Sequence, residues 1–140
     1  MYLSIMEKRE INNREDVAVL VNTFYKAIRK DAFLGPYFTG MISNWETHLA
    51  HLTDFWCGQL FFDSGYEGDP MEKHRNVDKF FYHNMNENHF KAWLEIWLSV
   101  LDSEFKGENA ELLKNKATKM ASAIHMDMYM HRKKNEEAKD

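Results

Sequence analysis

Residues 44–56 read NWETHLAHLTDFW, which places His48 and His51 three positions apart among tryptophan and leucine side chains. A capping box that begins at Ser43 predicts that a helix starts here. The side of this helix that is expected to pack inward carries Leu49, Leu52, Phe55, Trp56 and Gln59, which follow helical spacing. We expect His48 at the edge of that inward side. His51 is turned by about 100° from Leu52 and is expected on the outer side.

The two histidines have three alternative roles: zinc ligands, solvent-exposed side chains, or the lining of a pocket that holds something larger than an ion. A metal-dependent hydrolase would use His48, His51 and Asp54, whose spacing along a helix suits metal ligands. However, the chain contains no Glu-x-x-His motif, and Cys57 is its single cysteine. A solvent-exposed His51 is the more common arrangement.

The composition indicates one domain that spans residues 1–140, with a core at about 14–131 and a charged tail at 132–140. The 22 acidic and 18 basic side chains give a net charge of −4, which argues against electrostatic binding to nucleic acid or to an anionic membrane. A single cysteine excludes an intrachain disulfide. No apolar run reaches a membrane span, and the start of the sequence does not resemble a signal peptide. We therefore expect a cytoplasmic protein.

Three long helices are expected besides the one at 44–56. The first covers residues 14–30, with Asn13 as its cap and a break at Gly35–Pro36. The second covers residues 87–106 and ends at Gly107. The last covers about 109–131 and is expected to bury Leu112, Leu113, Ala117, Met120, Ile124 and Met128. Since no segment alternates like a strand over a useful length, the fold class is all-α.

A glycine-rich loop at residues 63–70 leads into a short helix that starts after Pro70 and carries His74. One imidazole offered by a short segment opposite a ring-lined helix suits haem iron, which takes a nitrogen ligand from one side. For a lone histidine, solvent exposure between Lys73 and Arg75 is the more common arrangement. The twenty aromatic residues suit either a large core or a flat apolar ligand.

Four stretches together resemble the group III truncated haemoglobins, over about residues 17–125. They are FYKAIRKDAFLGPYF (24–38), NWETHLAHLTDFW (44–56), GYEGDPMEKH (65–74) and HFKAWLEIW (89–97). The resemblance implies a two-over-two helical sandwich, a shortened globin in which the proximal helix is reduced to a loop and a turn. One departure is the connection after His74, which is longer and more polar than the family pattern.

The resemblance also implies a haem b cofactor and assigns residues to its two sides. His74 matches the proximal iron ligand, with Lys73 and Arg75 as candidate partners of the haem propionates. Tyr25 and Trp93 match the polar groups over the ligand-binding side, and His48 matches the distal histidine. The residues that match the apolar surroundings of the porphyrin are Phe24, Phe38, Leu52, Phe55 and Trp56.

Tyr25 and Trp93 can both donate hydrogen bonds, and each bond to a charged acceptor is worth about 1.5–3 kcal/mol. Two donors would slow the release of O₂, so the resemblance implies chemistry on O₂, NO or peroxide rather than storage. His48 is expected to act as a gate. NO dioxygenase or peroxidase-like activity is expected, with CO as a further ligand, an unidentified reductase as partner, and a monomer or weak homodimer as the assembly. The alternatives are a haemless globin-like sensor or interaction module and the metal-dependent hydrolase.

Overall fold

The computed structural model of the protein describes residues 7–40, 42–61 and 86–139. In chain order these residues form β1 (Arg9–Glu10), α1 (Arg14–Lys30), α2 (Gly35–Thr39), α3 (Trp45–Phe61), α4 (Glu87–Glu104), β2 (Phe105–Lys106) and α5 (Glu108–Lys139). The expected all-α class is confirmed. The expected loop at 63–70, the short helix after Pro70 and His74 lie outside the described residues.

Helix α1 begins and ends where its sequence predicts. The side chain of Asn13 accepts a hydrogen bond from the backbone N–H of Asp16, at 3.0 Å, and so caps the first turn. Acidic residues in the first turn and basic residues in the last turn match the helix dipole. One stripe of the helix is buried, and it consists of Val17, Leu20, Val21, Phe24, Tyr25 and Ile28. The amphipathic pattern therefore decided both the position and the orientation of α1.

The break after α1 comes earlier than Gly35–Pro36, because α1 ends at Lys30 and the carboxylate of Asp31 accepts a hydrogen bond from the backbone N–H of Leu34. Gly35 and Pro36 instead open α2, where proline has no N–H to lose from a helical hydrogen bond. A Cβ at Gly35 would lie 3.0 Å from the carbonyl oxygen of Arg29. This close approach lets α2 turn back against α1.

Helix α3 differs from its prediction in its cap and in its buried side. It starts at Trp45, and the side chain of Asn44, rather than Ser43, accepts a hydrogen bond from the backbone N–H of Thr47, at 3.1 Å. The buried residues are Thr53, Trp56, Cys57 and Leu60. The residues Leu49, Leu52, Phe55 and Gln59 are only half-buried, and so is His51, which was expected on the outer side. Helix α3 thus has a second, partly covered apolar side next to its core side.

A glycine lies between α4 and α5. Gly107 has a φ of +95°, a conformation that glycine adopts without strain, and it directly precedes α5. Helix α4 ends at Glu104, earlier than the expected 106, because Phe105 and Lys106 form β2. Helix α5 runs to Lys139, beyond the expected end near residue 131. Leu112 is 39% exposed rather than buried, and Met120 is half-buried, because the buried side of α5 is centred on Leu113, Ala117, Ala121, Ile124 and Met128.

The helices pack in two pairs around one large core cluster. Helix α1 contacts α3 and α4, α4 packs on α5, and α3 also contacts α5. The largest fully buried side chains are Trp97 of α4 and Phe24 of α1. No helix of the described ranges combines the length and the apolar composition that a membrane crossing requires.

A short parallel ladder, which the sequence pattern did not reveal, attaches the beginning of the described chain to the turn between α4 and α5. Strand β1 pairs with β2, with Arg9 opposite Phe105. The buried Ile11 follows, and its carbonyl oxygen accepts a hydrogen bond from the side chain of Asn109, at 2.7 Å. Two residues are too few to show alternation, so only the tertiary structure reveals this pairing.

Substitution of Gly107 by alanine should destabilise the protein. At the positive φ of this position a residue with a Cβ is strained, and the strain costs about 1–2 kcal/mol. Gly40→Ala is the matched control, since Gly40 has a φ of −75° that alanine adopts freely. This substitution should be neutral or slightly stabilising. Urea unfolding followed by circular dichroism measures both, and equal stabilities of the two variants would contradict the prediction.

Candidate functional site

Tyr25 is the centre of a ring-lined site formed by α1, α2, α3 and α4. Its side chain is buried, with a relative exposure of 5%. Ring centroids lie 5.8 Å away in Phe38, 6.2 Å away in Trp45 and 5.8 Å away in His48. The structure therefore brings Tyr25, Phe38 and His48 together, as the sequence predicts, although they come from three different helices.

Trp93 joins this site from α4 because of how α4 packs on α1. The ring of Phe24 lies edge-on to Trp97 at 4.9 Å and to Trp93 at 5.5 Å. Trp93 and Trp97 are four positions apart, so they share a side of the helix. Their rings are nearly parallel, at 5° and 5.9 Å. Packing of Phe24 in the core thus determines where the half-buried Trp93 stands relative to Tyr25.

Trp93 is a hydrogen-bond partner of Tyr25, and this interaction lowers the pKa of the phenol. The indole N–H can only donate, so the tyrosine oxygen accepts. A hydroxyl that accepts at its oxygen keeps its own hydrogen for donation to another group. Trp93 can therefore act on a ligand through Tyr25.

The buried surroundings of Tyr25 keep its phenol neutral. Burial raises the pKa of Tyr25 far above its ordinary value, since a phenolate would lose its hydration. The hydrogen bond from Trp93 lowers the pKa of Tyr25, but by less than burial raises it. The site therefore presents a protonated hydroxyl, which is a hydrogen-bond donor, throughout the physiological pH range.

His48 stands beside Tyr25, at the edge of the site. Its ring lies edge-on to Tyr25 and to Trp45, with centroids 5.8 Å and 5.6 Å away. Its Nε2 atom is buried, although the residue as a whole is half-buried. An imidazole in this position can exchange protons with groups next to Tyr25 and can turn toward solvent.

Two residues of the surroundings of His48 were missed by the sequence analysis. The guanidinium carbon of Arg29 lies 4.3 Å from the centroid of the Trp45 ring, a cation–π contact. The signal was present, since Arg29 follows Tyr25 by one helical turn and Trp45 precedes His48 by one. The contact stabilises Trp45 in its position against the rings of Tyr25 and His48.

The remaining expected haem contacts fall into two groups. Phe38, Leu52 and Phe55 are half-buried and pack against the main core cluster. Phe24 and Trp56 are buried within that cluster, where Trp56 stacks on Trp97 at 4.6 Å. His74, the expected iron ligand, lies outside the described residues, as do Lys73 and Arg75.

His48, His51 and Asp54 do not form the metal site that the zinc interpretation requires. In the part of the chain that the structure describes, which includes His48, His51 and Asp54, no group of three or more histidine, cysteine or acidic side chains is arranged to hold a metal ion. Asp54 forms an ion pair with Arg14 of α1 instead. The carboxylate that would complete a metal site serves to connect α1 with α3.

The donor and the apolar side chains around it define what the site can bind. Phe38, Leu52 and Phe55 are half-buried and pack against the core cluster that contains Tyr25, and side chains of this kind suit a flat apolar group. The polar side of the site offers one hydroxyl hydrogen, from Tyr25, in water-poor surroundings where a hydrogen bond to an anionic atom is strengthened. The combination fits a planar ligand that carries a small polar group on one face.

Comparison with known proteins gives one consistent result. No protein-family model matches the sequence. The chain is 30% identical over 128 residues to the group 3 truncated hemoglobin ctb of Campylobacter jejuni, and the alignment covers 89% of this chain and 97% of that protein. It also matches the crystal structure of a group III truncated hemoglobin from Campylobacter jejuni with a TM-score of 0.78 at 29% identity, covering 89% of this chain and 98% of the other.

Tyr25→Phe should make the stability of the protein less sensitive to alkaline pH. Because the folded-state pKa of Tyr25 is raised, its contribution is complete below the unfolded pKa of about 10 and is lost as pH rises above it. The wild-type protein should therefore lose up to about 1.4 kcal/mol per pH unit more than the variant between about pH 10 and about pH 11.

Urea unfolding of both proteins at a series of pH values measures this difference, and every other titrating group is common to the two. Parallel pH dependences would show that Tyr25 is not buried as described.

Proposed function

The chain belongs to the group III truncated haemoglobin family, and on that premise we propose that it binds haem b and uses the iron to bind O₂, NO, CO or peroxide. The two-over-two helical sandwich expected from the sequence is the fold of this family, and the structural match confirms it. The observation that carries the proposal is the protonated hydroxyl of Tyr25, held by Trp93 beside a half-buried apolar surface.

The described residues fit one face of a haem group. Phe38, Leu52 and Phe55 would hold the porphyrin by apolar contact, with Phe24 and Trp56 as the buried layer that supports them. His74 is proposed as the residue that would ligate the haem iron. When bound, haem supplies an iron centre that binds diatomic molecules and transfers electrons.

Tyr25 is proposed to hold a ligand by donating its hydroxyl hydrogen to the negatively polarised outer atom. Trp93 strengthens this donation because the tyrosine oxygen accepts from the indole N–H, and hydrogen bonds in a chain polarise one another. The surrounding rings exclude water, so the donor is not neutralised by solvent. Both effects favour retention of the ligand over its release.

Strong retention supports a proposed role in chemistry on O₂, NO or peroxide rather than in O₂ storage. NO dioxygenase and peroxidase-like activity are the two reactions proposed, with an unidentified reductase to supply electrons. His48 is proposed to move protons to or from the site, a role supported by its buried Nε2 atom and by the contact of its ring with Tyr25. We propose that it also gates entry, with the Arg29–Trp45 pair holding the ring that flanks it.

His74→Ala should abolish the Soret absorption of the protein reconstituted with haem, because no other residue is proposed as the iron ligand. The matched control is His125→Ala, which removes a histidine of α5 that stacks on Phe90 at 5.2 Å, and it should keep the Soret band. A folded wild-type protein that binds no added haem would contradict the proposal and favour the haemless sensor.

Tyr25→Phe should speed O₂ release from the ferrous protein by roughly tenfold to a hundredfold, the effect of one hydrogen bond to a charged acceptor. Trp93→Phe should also speed release, but by less when it is added to Tyr25→Phe, since Trp93 acts through Tyr25. Stopped-flow measurements on the wild type, both single variants and the double variant give the comparison. Independent, additive effects would show that Trp93 donates to the ligand directly.

A further inference from the structure

Three of the four tryptophans form a continuous stack that starts at the site and runs into the core. Trp97 is fully buried and lies 5.9 Å from Trp93, with an angle of 5° between the rings. Its ring also lies 4.6 Å from that of Trp56, at 26°. Trp56 is only 2% exposed. Neither the binding of a haem group nor that of a gas requires rings of this type in this order.

The stack is connected to the site through direct contacts. Trp93 donates its indole N–H to Tyr25. The ring of Phe24 lies edge-on to Trp93 at 5.5 Å and to Trp97 at 4.9 Å, and so fills the space beside them. An electron that leaves Trp97 for the site therefore crosses only neighbouring aromatic rings.

We propose that this stack, formed by Trp93, Trp97 and Trp56, supplies an electron to the haem site when the protein reduces a hydroperoxide, and that Trp97 retains the resulting positive charge. The inference rests on the proposed function. Hydrogen peroxide that takes up two electrons, and two protons from solvent, yields two molecules of water. A ferric haem held in this site would supply one of the electrons, and the indole of Trp97 would supply the other and become a cation radical.

The surroundings of Trp97 favour the charge there. Aromatic rings carry negative charge on their faces, and the stacked faces of Trp56 and Trp93 attract a cation between or beside them. The indole N–H of Trp97 donates to the backbone carbonyl of Leu113, at 3.2 Å. That hydrogen bond becomes charge-assisted when the ring is oxidised. A carbonyl is too weak a base to remove the proton, so the cation keeps its N–H.

Burial gives the radical a function distinct from that of a surface tryptophan. Because Trp97 and Trp56 are almost without solvent exposure, water and dissolved reductants do not reach the oxidised ring. The stack would then hold one oxidising equivalent away from the ligand site until the reductase supplies an electron. If the tryptophans only fill the core, peroxide produces no tryptophan radical.

The test uses the full chain, loaded with ferric haem, mixed with hydrogen peroxide and frozen rapidly for electron paramagnetic resonance. Protein made with ring-deuterated tryptophan is compared with unlabelled protein. We expect an organic radical whose signal narrows on deuteration, which identifies tryptophan without any substitution. A signal that is unchanged by deuteration, or no organic radical at all, overturns the proposal.

Two variants locate the radical. Trp97→Phe should lose most of the signal, whereas the matched control Phe90→Leu, which removes a buried ring of α4 that belongs to a separate core cluster, should keep it. Loss in Phe90→Leu with retention in Trp97→Phe would overturn the assignment. If Trp97→Phe does not fold, Trp56→Phe, which removes the ring that stacks on Trp97 at 4.6 Å, should weaken the signal, and an unchanged signal in Trp56→Phe would overturn the assignment.

The Soret band of each sample shows whether haem is bound, and so distinguishes a failure of the proposed electron supply from a failure of the proposed function. Haem-loaded protein that shows its Soret band but no tryptophan radical refutes the electron supply alone. Protein that never acquires a Soret band refutes the proposed function and the electron supply with it.

Discussion

The packing of Phe24 against Trp97, where α1 crosses α4, is the contact on which the rest of the structure depends. Both side chains have no exposed surface, and their rings meet edge-on at 4.9 Å. Tyr25 is the neighbour of Phe24 in sequence, and Trp93 precedes Trp97 by one helical turn. The core contact therefore also brings the tyrosine hydroxyl and the indole N–H together. Removal of either core ring would shift the donors as well as lower the stability.

This arrangement explains how a small helical domain maintains a reactive polar group inside an apolar interior. A lone buried hydroxyl costs free energy, and the hydrogen bond from Trp93 offsets part of that cost. Burial in turn keeps Tyr25 protonated, which is the state that donates. The rings of His48 and Trp45 also contact Tyr25, and the Arg29 guanidinium lies over Trp45. Structural packing and the proposed ligand binding therefore use the same side chains.

The errors of the sequence analysis have identifiable physical causes. Ser43 and Asn44 are both good capping residues, and in the structure Asn44 accepts the hydrogen bond from the backbone N–H of Thr47. The inward side of α3 was expected to carry Leu52, Phe55 and Trp56. Trp56 is buried as expected, where it stacks on Trp97, but Leu52 and Phe55 are only half-buried. Leu112 and Leu113 were both assigned to the buried side of α5, and only Leu113 is buried.

The sequence by itself determined the all-α class, the bounds of α1, the glycine that interrupts the chain before α5, and the candidate residues Tyr25, His48 and Trp93. These follow from helical periodicity, capping, backbone restrictions and family resemblance, which are all local or linear properties of the chain. Only the tertiary structure decided that Trp93 donates to Tyr25 and that Arg29 lies over Trp45. It alone also decided that Trp56 of α3 joins Trp97 and Trp93 of α4 in one stack. Each of these arrangements joins side chains from different helices, and its geometry depends on how those helices cross rather than on spacing within any one of them.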